Sequence, residues 1–395
     1  MVNNLAPLFF IIFSERYGVS YAGLGSLVML NFFVQLLVDA LCIKLAGPIG
    51  YKPLLVAAQA FSALGLVLLG VLPLFITPVY TALVIAVVFY AFGGGLLEVL
   101  VSPVVDSIPG EAEQKPAAMA ILHSFYCWGQ MAVILLSTFL LSVLGLDRWY
   151  LLPLLWALVP LVNMFLFTQV PVAPAIPEHQ AMKLRTMMKT PVFYLCLLMM
   201  LCAGASEQAV AQWASLFAEK ALALPKVLGD VAGPAMFALF MGTGRVVYGI
   251  WSGKMKLHSY MLFCSLLCVL CYLGITLVPY PVVQLIACAL TGFAVSIMWP
   301  ATFSLSSARF PMGGAALFAV LALMGDMGCS TGPWIVGLVT GSAGEEGVFR
   351  NLSLFLSGEY SSLQAGIFVC IVFPVLFVLT VLGMKRSRDK KQPAL

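Results

Sequence analysis

The sequence predicts an all-α polytopic membrane bundle of twelve transmembrane helices, arranged as two pseudo-symmetric six-helix halves. Of its 395 residues, 62% are hydrophobic and only 9% are charged. A soluble protein has about 45–50% apolar and about 25% charged residues, so this chain has too few polar side chains to cover a surface that faces water. Because lipid satisfies no backbone hydrogen bonds, each apolar segment of spanning length is expected to be a helix, and no strand is expected.

Twelve apolar segments emerge with a window of about 19 residues. They lie at 2–13, 24–46, 54–75, 80–103, 117–143, 150–167, 192–218, 228–251, 260–278, 282–305, 313–340 and 362–384. A proline-rich and then basic loop, 168–190, separates an N-terminal half, 1–167, from a C-terminal half, 191–395, which ends in a basic tail. The connections leave no room for a soluble catalytic lobe.

The distribution of Lys and Arg predicts the orientation. The even-numbered loops and the C-terminus carry 14 of these residues, whereas the odd-numbered loops carry five. By the positive-inside rule, both termini and the central loop face the cytoplasm, so a multi-pass protein of the cell (inner) membrane is expected. The net charge of +4 is too small to indicate a nucleic-acid partner. Apart from a small-molecule solute and a proton, the predicted partner is the lipid bilayer.

The first segment is shorter than a span. Residues 2–13 rise only about 18 Å as a helix, against a hydrocarbon core of about 30 Å. The charge count puts the N-terminus inside, so the missing part would be the inner half of the span, and Asn4 would lie near the middle of the membrane. We therefore expect the natural reading frame to begin about 10–25 codons upstream, or the chain to be a truncated form.

Glu98 is the clearest polar residue inside a segment. A mid-span carboxylate costs about 2.5–3.5 kcal/mol even on the lenient insertion scale, so it needs a cavity or a partner. A carboxyl in this position suits a group that binds and releases a proton, although a permanently protonated structural glutamate is the alternative. Histidine ordinarily titrates near neutral pH, so His123 in the fifth segment could share a proton with Glu98, or could be a packing histidine.

Amides and indoles supply the candidate substrate contacts. Asn31, Gln35 and Asp39 follow each other at intervals of four, so they form one stripe on a helix; Asp39 is nearer the predicted cytoplasmic end and is assigned to a gate. An amide both donates and accepts, and an indole stacks on the apolar face of a sugar. By this reasoning the candidates in later segments are Gln130, Gln208, Gln212 and Trp299. Their alternatives are interhelical hydrogen bonding for the amides and, for the nearby Trp213, the aromatic belt at the bilayer interface.

Two charged residues of the C-terminal half complete the predicted gate. Asp326 is a carboxylate embedded in the eleventh segment, and Arg245 lies toward the end of the eighth, so the two could form a pair. The cysteines lie in apolar runs, and the spacing of Cys268 and Cys271 has no second pair to complete a metal site. Without a nucleophile–base pair, a metal-ligand cluster or a phosphate-binding loop, the sequence predicts neither an enzyme nor a cofactor nor a bound metal.

Six segments carry a resemblance to a known family: 3–7, 31–35, 93–98, 123–125, 206–208 with Trp213, and 242–245. At these residues the chain resembles the sugar branch of the major facilitator superfamily, which includes the fucose–proton symporter and related hexose permeases. The resemblance implies the major facilitator fold, with the solute bound between the halves. It also implies that Glu98 carries the coupling proton, that Asn4, Asn31, Gln35, Gln130, Gln208 and Trp299 contact sugar, and that Gly244 and Arg245 belong to the gate.

The function expected from the sequence is secondary active transport of a small solute, a hexose or related sugar, by alternating access with proton coupling, in a monomer. One alternative keeps the fold but moves an amphipathic organic molecule, since 27 Phe and 19 Met allow an apolar cavity. Another is a non-transporting membrane sensor or a decayed paralogue. The loop after the second segment favours the latter, because it lacks the aspartate of the family's gating motif.

Overall fold

The structure is a computed structural model that describes residues 5–19, 21–108, 114–172, 182–214, 217, 229, 231–341 and 361–389. In these residues the chain is helical between its turns, with no strand. The helices of the N-terminal half are α1 (Phe10–Tyr17, after a 3-10 turn Ala6–Phe9), α2 (Tyr21–Ile49), α3 (Tyr51–Val71), α4 (Val79–Ser107), α5 (Lys115–Leu144) and α6 (Leu151–Gln169).

The C-terminal half has six further helices, two of them broken. They are α7 (Pro191–Ala211), α8 (Met236–Trp251), α9 (Leu257–Leu277), α10a (Pro281–Val295) and α10b (Met298–Arg309), α11 (Gly314–Gly341), and α12a (Ser361–Val369) and α12b (Val372–Asp389). A π-helical turn, Val231–Ala235, precedes α8, and a 3-10 turn, Ser252–Lys254, follows it.

The predicted fold class is confirmed. In the described part of the chain, ten helices are long and apolar enough to cross a membrane, and Ser26–Cys42 is a shorter apolar one. Some helices extend past the apolar segments, as in α1, which continues to Tyr17 where the hydropathy stops at residue 13, whereas α7 ends at Ala211, before its segment ends at residue 218. The hydropathy marks the part of a helix that lipid can cover, whereas backbone hydrogen bonds continue into the polar residues beyond it.

Sequence features explain where several helices begin and turn. Proline occupies the first position of α7 and α10a, where its missing N–H would have had no partner within the helix. Gly50 joins α2 to α3 within a single residue at φ 85°, a conformation that a side chain would strain. In the central loop, a four-residue helix spans Leu184–Met187, and residues 173–181 lie outside the described residues.

The chain forms two compact units. Unit 1 comprises residues 1–109, 132–184 and 310–323, and unit 2 comprises residues 110–131, 185–309 and 324–395. Helices α5 and α11 each contribute one end to unit 1 and the other end to unit 2. The division into halves at the central loop stays a prediction, as does the cytoplasmic location of the termini.

Unit 1 has a core of aromatic and branched aliphatic side chains. Trp149 is fully buried and contacts Phe9, Phe13 and Tyr17, with the ring centroids 5.1–6.1 Å apart. Helix α3 packs against α4 and α6 in this unit, and α2 packs against α4. The aromatic contacts attach α1 to the connection between α5 and α6.

In unit 2 glycines bring helices close together. Gly204 of α7 lies against Gly325 of α11, and Gly328 and Gly332 of α11 lie against the α7 backbone at Leu201 and Ala205. With no side chains between them, the two backbones are almost in contact, an arrangement common in membrane helix pairs. This contact fixes α7, which carries Glu207 and Gln208 of the polar residues described next.

Candidate functional site

Arg245 is the centre of a buried polar network in unit 2. The residue is 2% exposed and lies about nine residues, or about 14 Å, before the end of the helix at Lys254. Nε donates to the Ser296 carbonyl oxygen at 2.8 Å, and Nη1 donates to the His123 carbonyl oxygen at 2.6 Å and to Cys127 Sγ at 3.1 Å. Arg245 thus connects α8 to α10 and α5. The hydropathy pattern suggested a position nearer the end of the span.

The carboxylate partner of Arg245 is Glu207 of α7. Glu207 Oε2 lies 3.6 Å from Arg245 Nη2, and the two side chains are 9% and 3% exposed. An ion pair in this environment has lost most of its hydration, so removing one partner strands a buried charge. Glu207 therefore compensates a cation that the membrane interior would otherwise disfavour.

Pro300 explains why Ser296 is available as an acceptor. A proline in a helix lacks the N–H that would bond the carbonyl four residues earlier, and its ring pushes that carbonyl aside. The carbonyl four residues before Pro300 belongs to Ser296, at the break between α10a and α10b. Arg245 satisfies that carbonyl from another helix, so the kink and the cation stabilise each other.

Two glutamines extend the network along α7. Gln208 Nε2 donates to Glu207 Oε1 at 3.1 Å, and Gln212 Nε2 donates to Gln208 Oε1 at 3.0 Å. Gln208 is 8% exposed, whereas Gln212 is exposed. Two hydrogen bonds and one ion pair therefore connect an accessible amide to the buried guanidinium. We call Arg245, Glu207, Gln208, Gln212, Ser296, His123 and Cys127 the Arg245 network.

Aromatic rings border the same network. The His123 ring stacks on Phe303 at 5.9 Å, and Phe303 meets Trp299 edge to face at 6.2 Å. Trp299 is 7% exposed and lies one helical turn beyond Ser296. Its six-membered ring covers Gly325 of α11 so closely that a β-carbon there would overlap it. Gly325 therefore determines how far the indole can approach α11.

Helix α5 approaches α8 at two glycines. A β-carbon on Gly242 would lie 3.1 Å from Trp128 and 3.2 Å from Cys127, and one on Gly249 would crowd Ile121. Together with the bonds of Arg245 to His123 and Cys127, these contacts form a tight seam. The residues of α5 in this seam, 121–128, all belong to unit 2.

The polar residues predicted on α2 and α4 lie in unit 1. Asn31 is 5% exposed, Gln35 and Asp39 are fully buried, and Glu98 is half-buried. A β-carbon on Gly95, one turn before Glu98, would lie 3.1 Å from Gln35 Cα, so α4 packs closely on α2 at this level. Carboxylate and amide groups are thus concentrated on two helices in contact.

The structure distributes the predicted residues over both units. Unit 2 brings together Arg245, His123, Gln208 and Gln212 in one network, with Trp299 beside it. Gln130 and Asp326 are also buried in unit 2, at 9% and 2% exposure. Glu98 belongs to unit 1 and His123 to unit 2, so their pairing stays a prediction, as does that of Arg245 with Asp326. Asn4 lies outside the described residues.

Sequence reasoning missed four members of this region: Glu207, Ser296, Cys127 and Phe303. Glu207 lies at a different angle on α7 from Gln208 and Gln212, although the cost that singles out Glu98 applies to it equally. Pro300 is a signal for Ser296, because it identifies the carbonyl that loses its helical bond. Cys127 shares a helix face with His123 and Gln130, which is a sequence signal for its position. For Phe303 the sequence carries no such signal.

The family model of the Major Facilitator Superfamily matches residues 1–333. No curated protein matches the chain by sequence. Among solved structures, the fucose–proton symporter of E. coli has a TM-score of 0.76 and 15% identity, covering 97% of this chain and 96% of that one. The proton–xylose symporter XylE, bound to 6-bromo-6-deoxy-D-glucose, gives 0.77 and 14%, with coverages of 97% and 90%.

A bacterial homologue of the iron transporter ferroportin, in an outward-facing state, also shares the fold, with a TM-score of 0.69, 12% identity and 97% coverage of both chains. At these identities the structural similarity concerns the fold, which is common to carriers of different solutes. The family match covers most of the sequence, and twelve helices in the described residues agree with it. The chain belongs to the Major Facilitator Superfamily and is a multi-pass membrane protein with the transporter fold of that family.

Proposed function

We propose that this protein is a secondary active transporter that moves a small solute, a hexose or related sugar, by alternating access with proton coupling. The observation that carries the proposal is the chain from Gln212 through Gln208 and Glu207 to Arg245, bordered by Trp299. It combines hydrogen-bonding amides, a carboxylate and an indole within one membrane-embedded unit.

Sugar is the solute class that this chemistry supports best. A sugar hydroxyl both donates and accepts, as an amide does, so Gln208 and Gln212 can exchange one bond with each other for two with a sugar. Trp299 offers an apolar ring for the CH face of the pyranose. Gln130, one turn after Cys127 on α5, is a further proposed ligand, as are Asn4, Asn31 and Gln35.

Proton coupling is assigned to Glu98 and His123. Glu98 is a half-buried carboxyl on α4, in close packing with α2, which carries Gln35 and Asp39. His123 contributes its carbonyl to Arg245 and its ring to Phe303. Asp39, Arg245 and Asp326 are the proposed gate residues. All three are buried charged side chains, which the membrane interior tolerates only with polar partners.

Transport of labelled sugars by the purified protein in proteoliposomes tests the proposal. Fucose, xylose and glucose are offered with an inward proton gradient, with the gradient collapsed by an uncoupler, and to empty liposomes. We expect accumulation above the external concentration of at least one sugar, lost with the uncoupler. Equilibration alone would contradict proton coupling. Uptake of none of the sugars would contradict the sugar assignment and favour an amphipathic solute or a sensor.

A further inference from the structure

We propose that Arg245 holds α5 against α8 through its hydrogen bonds to His123 and Cys127, and we call this contact the latch. Glu207 and Gln208 are positioning residues in this proposal: they change the strength of the latch according to whether solute is bound to the amides of Gln208 and Gln212. The part concerning solute rests on the proposed sugar transport. The part concerning the latch rests on the contacts of Arg245 alone.

The partners of Arg245 fall into two groups that differ in where they lie along the chain. Ser296 and Glu207 belong to α10 and α7, which follow the central loop, as α8 itself does. His123 and Cys127 belong to α5, which precedes the loop. Movement of α5 away from α8 would break only the second group, and the guanidinium would keep an acceptor and a counter-charge. The latch can therefore open without leaving a bare cation in the membrane.

The seam around the latch is closely packed. A β-carbon on Gly242 would lie 3.1 Å from Trp128 and 3.2 Å from Cys127, and one on Gly249 would overlap the Ile121 side chain. The Cys127 side chain is fully buried there and contacts Arg245 Nη1. Cys127 is thus a native reporter of the seam, since its thiol can react with a reagent only after α5 has separated from α8.

Glu207 is positioned to change how strongly Arg245 binds α5. The 3.6 Å from Oε2 to Nη2 exceeds a hydrogen bond, while Oε1 is held by the Gln208 amide at 3.1 Å. A sugar hydroxyl that takes the Gln208 N–H would free Glu207 Oε1. The carboxylate could then close on Arg245 Nη2 and hold the guanidinium more firmly in the position from which Nη1 bonds the His123 carbonyl. Occupancy at the amides would in this way strengthen the contact of α5 with α8.

Alkylation of Cys127 by N-ethylmaleimide in proteoliposomes, located by mass spectrometry, tests the latch. In Arg245→Lys, an ammonium cannot reach Ser296 and His123 in the same fork geometry, and in Glu207→Gln the buried guanidinium loses its counter-charge. We expect the Cys127 rate to rise about 5- to 150-fold in each variant, the range of typical conformational coupling. Cys268, fully buried in α9, serves as the internal reference and should keep its rate.

Two results would overturn the latch: an unchanged Cys127 rate in both variants, or a rise that Cys268 shares, which would indicate general loosening. Gln284→Ala is the matched control, because Gln284 is a buried glutamine of α10 that bonds the Val278 carbonyl outside the network. A Cys127 rate in Gln284→Ala as high as in Glu207→Gln would count against the assignment as well.

The solute part is tested with whichever of fucose, xylose and glucose is taken up fastest. That sugar should change the Cys127 rate at least about fivefold in the native protein and in Gln284→Ala, and leave it unchanged in Gln208→Ala. A response retained in Gln208→Ala would refute the role of the amide. If no sugar is transported, the sugar assignment and the solute part fail together, while the charge variants still decide whether Arg245 is a latch.

Discussion

Two ion pairs in this protein differ in almost every respect. Arg16 and Asp147, in unit 1, meet at 2.7 Å with side chains that are 47% and 90% exposed. Arg245 and Glu207, in unit 2, stand 3.6 Å apart and are almost fully buried. The shorter pair lies in water, where such contacts contribute about 0–1 kcal/mol. The longer one lies where desolvation is the dominant cost.

The difference shows that distance alone does not rank ion pairs. A buried pair is often no more stabilising than apolar side chains of the same volume, so its presence in the membrane interior calls for a reason other than stability. The hydrogen bonds of Arg245 to α5 and α10 and its ion pair with α7 supply a reason, because movement of any of these helices changes a contact of the one side chain. The surface pair merely adds to the aromatic contacts around Trp149.

The largest expected effect comes from breaking the buried pair on one side only. Glu207→Leu leaves the guanidinium without its counter-charge and should lower the free energy of unfolding by about 3–5 kcal/mol. The double variant Arg245→Met with Glu207→Leu should recover most of that loss and still fail to transport. Denaturant unfolding in detergent and sugar uptake provide the two measurements. A double variant as unstable as the single one would mean that the pair serves stability.

Neutralising the two membrane carboxyls separately sharpens the comparison between the units. Glu98→Gln resembles the protonated carboxyl, so it should abolish accumulation driven by the proton gradient and preserve exchange of sugar across the membrane. His123→Asn should shift the pH optimum of uptake and leave binding intact. If Glu98→Gln still accumulates sugar while Glu207→Gln does not, the proton is carried in unit 2 and the assignment to Glu98 is wrong.

The proposed sugar contacts beside the Arg245 network should give intermediate effects. Gln130→Ala and Trp299→Ala should each weaken sugar binding by about 1–3 kcal/mol, through unpaired hydroxyls or lost stacking. Equilibrium binding measured calorimetrically checks this, with Gln284→Ala as the buried-amide control. Unchanged affinity in both variants would favour an amphipathic solute.

The surface pair should give the smallest effect. Asp147→Asn removes the charge that faces Arg16 and should change the free energy of unfolding by less than about 1 kcal/mol, an effect that disappears at high salt. Thermal unfolding at low and high ionic strength measures it. A loss comparable with that of Glu207→Leu would show that exposure is a poor guide to the value of a pair in this protein.

The sequence was sufficient to predict the fold because hydropathy and charge bias act on whole segments, and each segment must satisfy its backbone by itself. It was insufficient for the partners of Arg245, since periodicity identifies the face of a helix and not the helix that it meets. Glu207 illustrates the limit. Its angle on α7 separates it from Gln208, yet its side chain turns toward α8 and accepts a bond from that same glutamine.

Trp299 illustrates a second limit. The sequence indicates an indole in the tenth span, but the contact that positions it is the absence of a side chain at Gly325 in the next span. A glycine in an apolar helix has many explanations, and only packing in three dimensions selects one. Asn31, Gln35 and Asp39 were easier to group, because residues spaced four apart on one helix lie on the same face.

The broken helix α10 bears on how the protein is made. Helices enter the membrane in the order of synthesis, and His123, Glu207 and Arg245 all precede Ser296 along the chain. Arg245 therefore joins a nascent bundle that already contains its counter-charge and one of its carbonyl acceptors. When Pro300 is synthesised and leaves the Ser296 carbonyl without a helical hydrogen bond, Arg245 is already present to donate to it. The Arg245 network can thus assemble during biosynthesis without any of its polar groups remaining long in lipid without a polar partner.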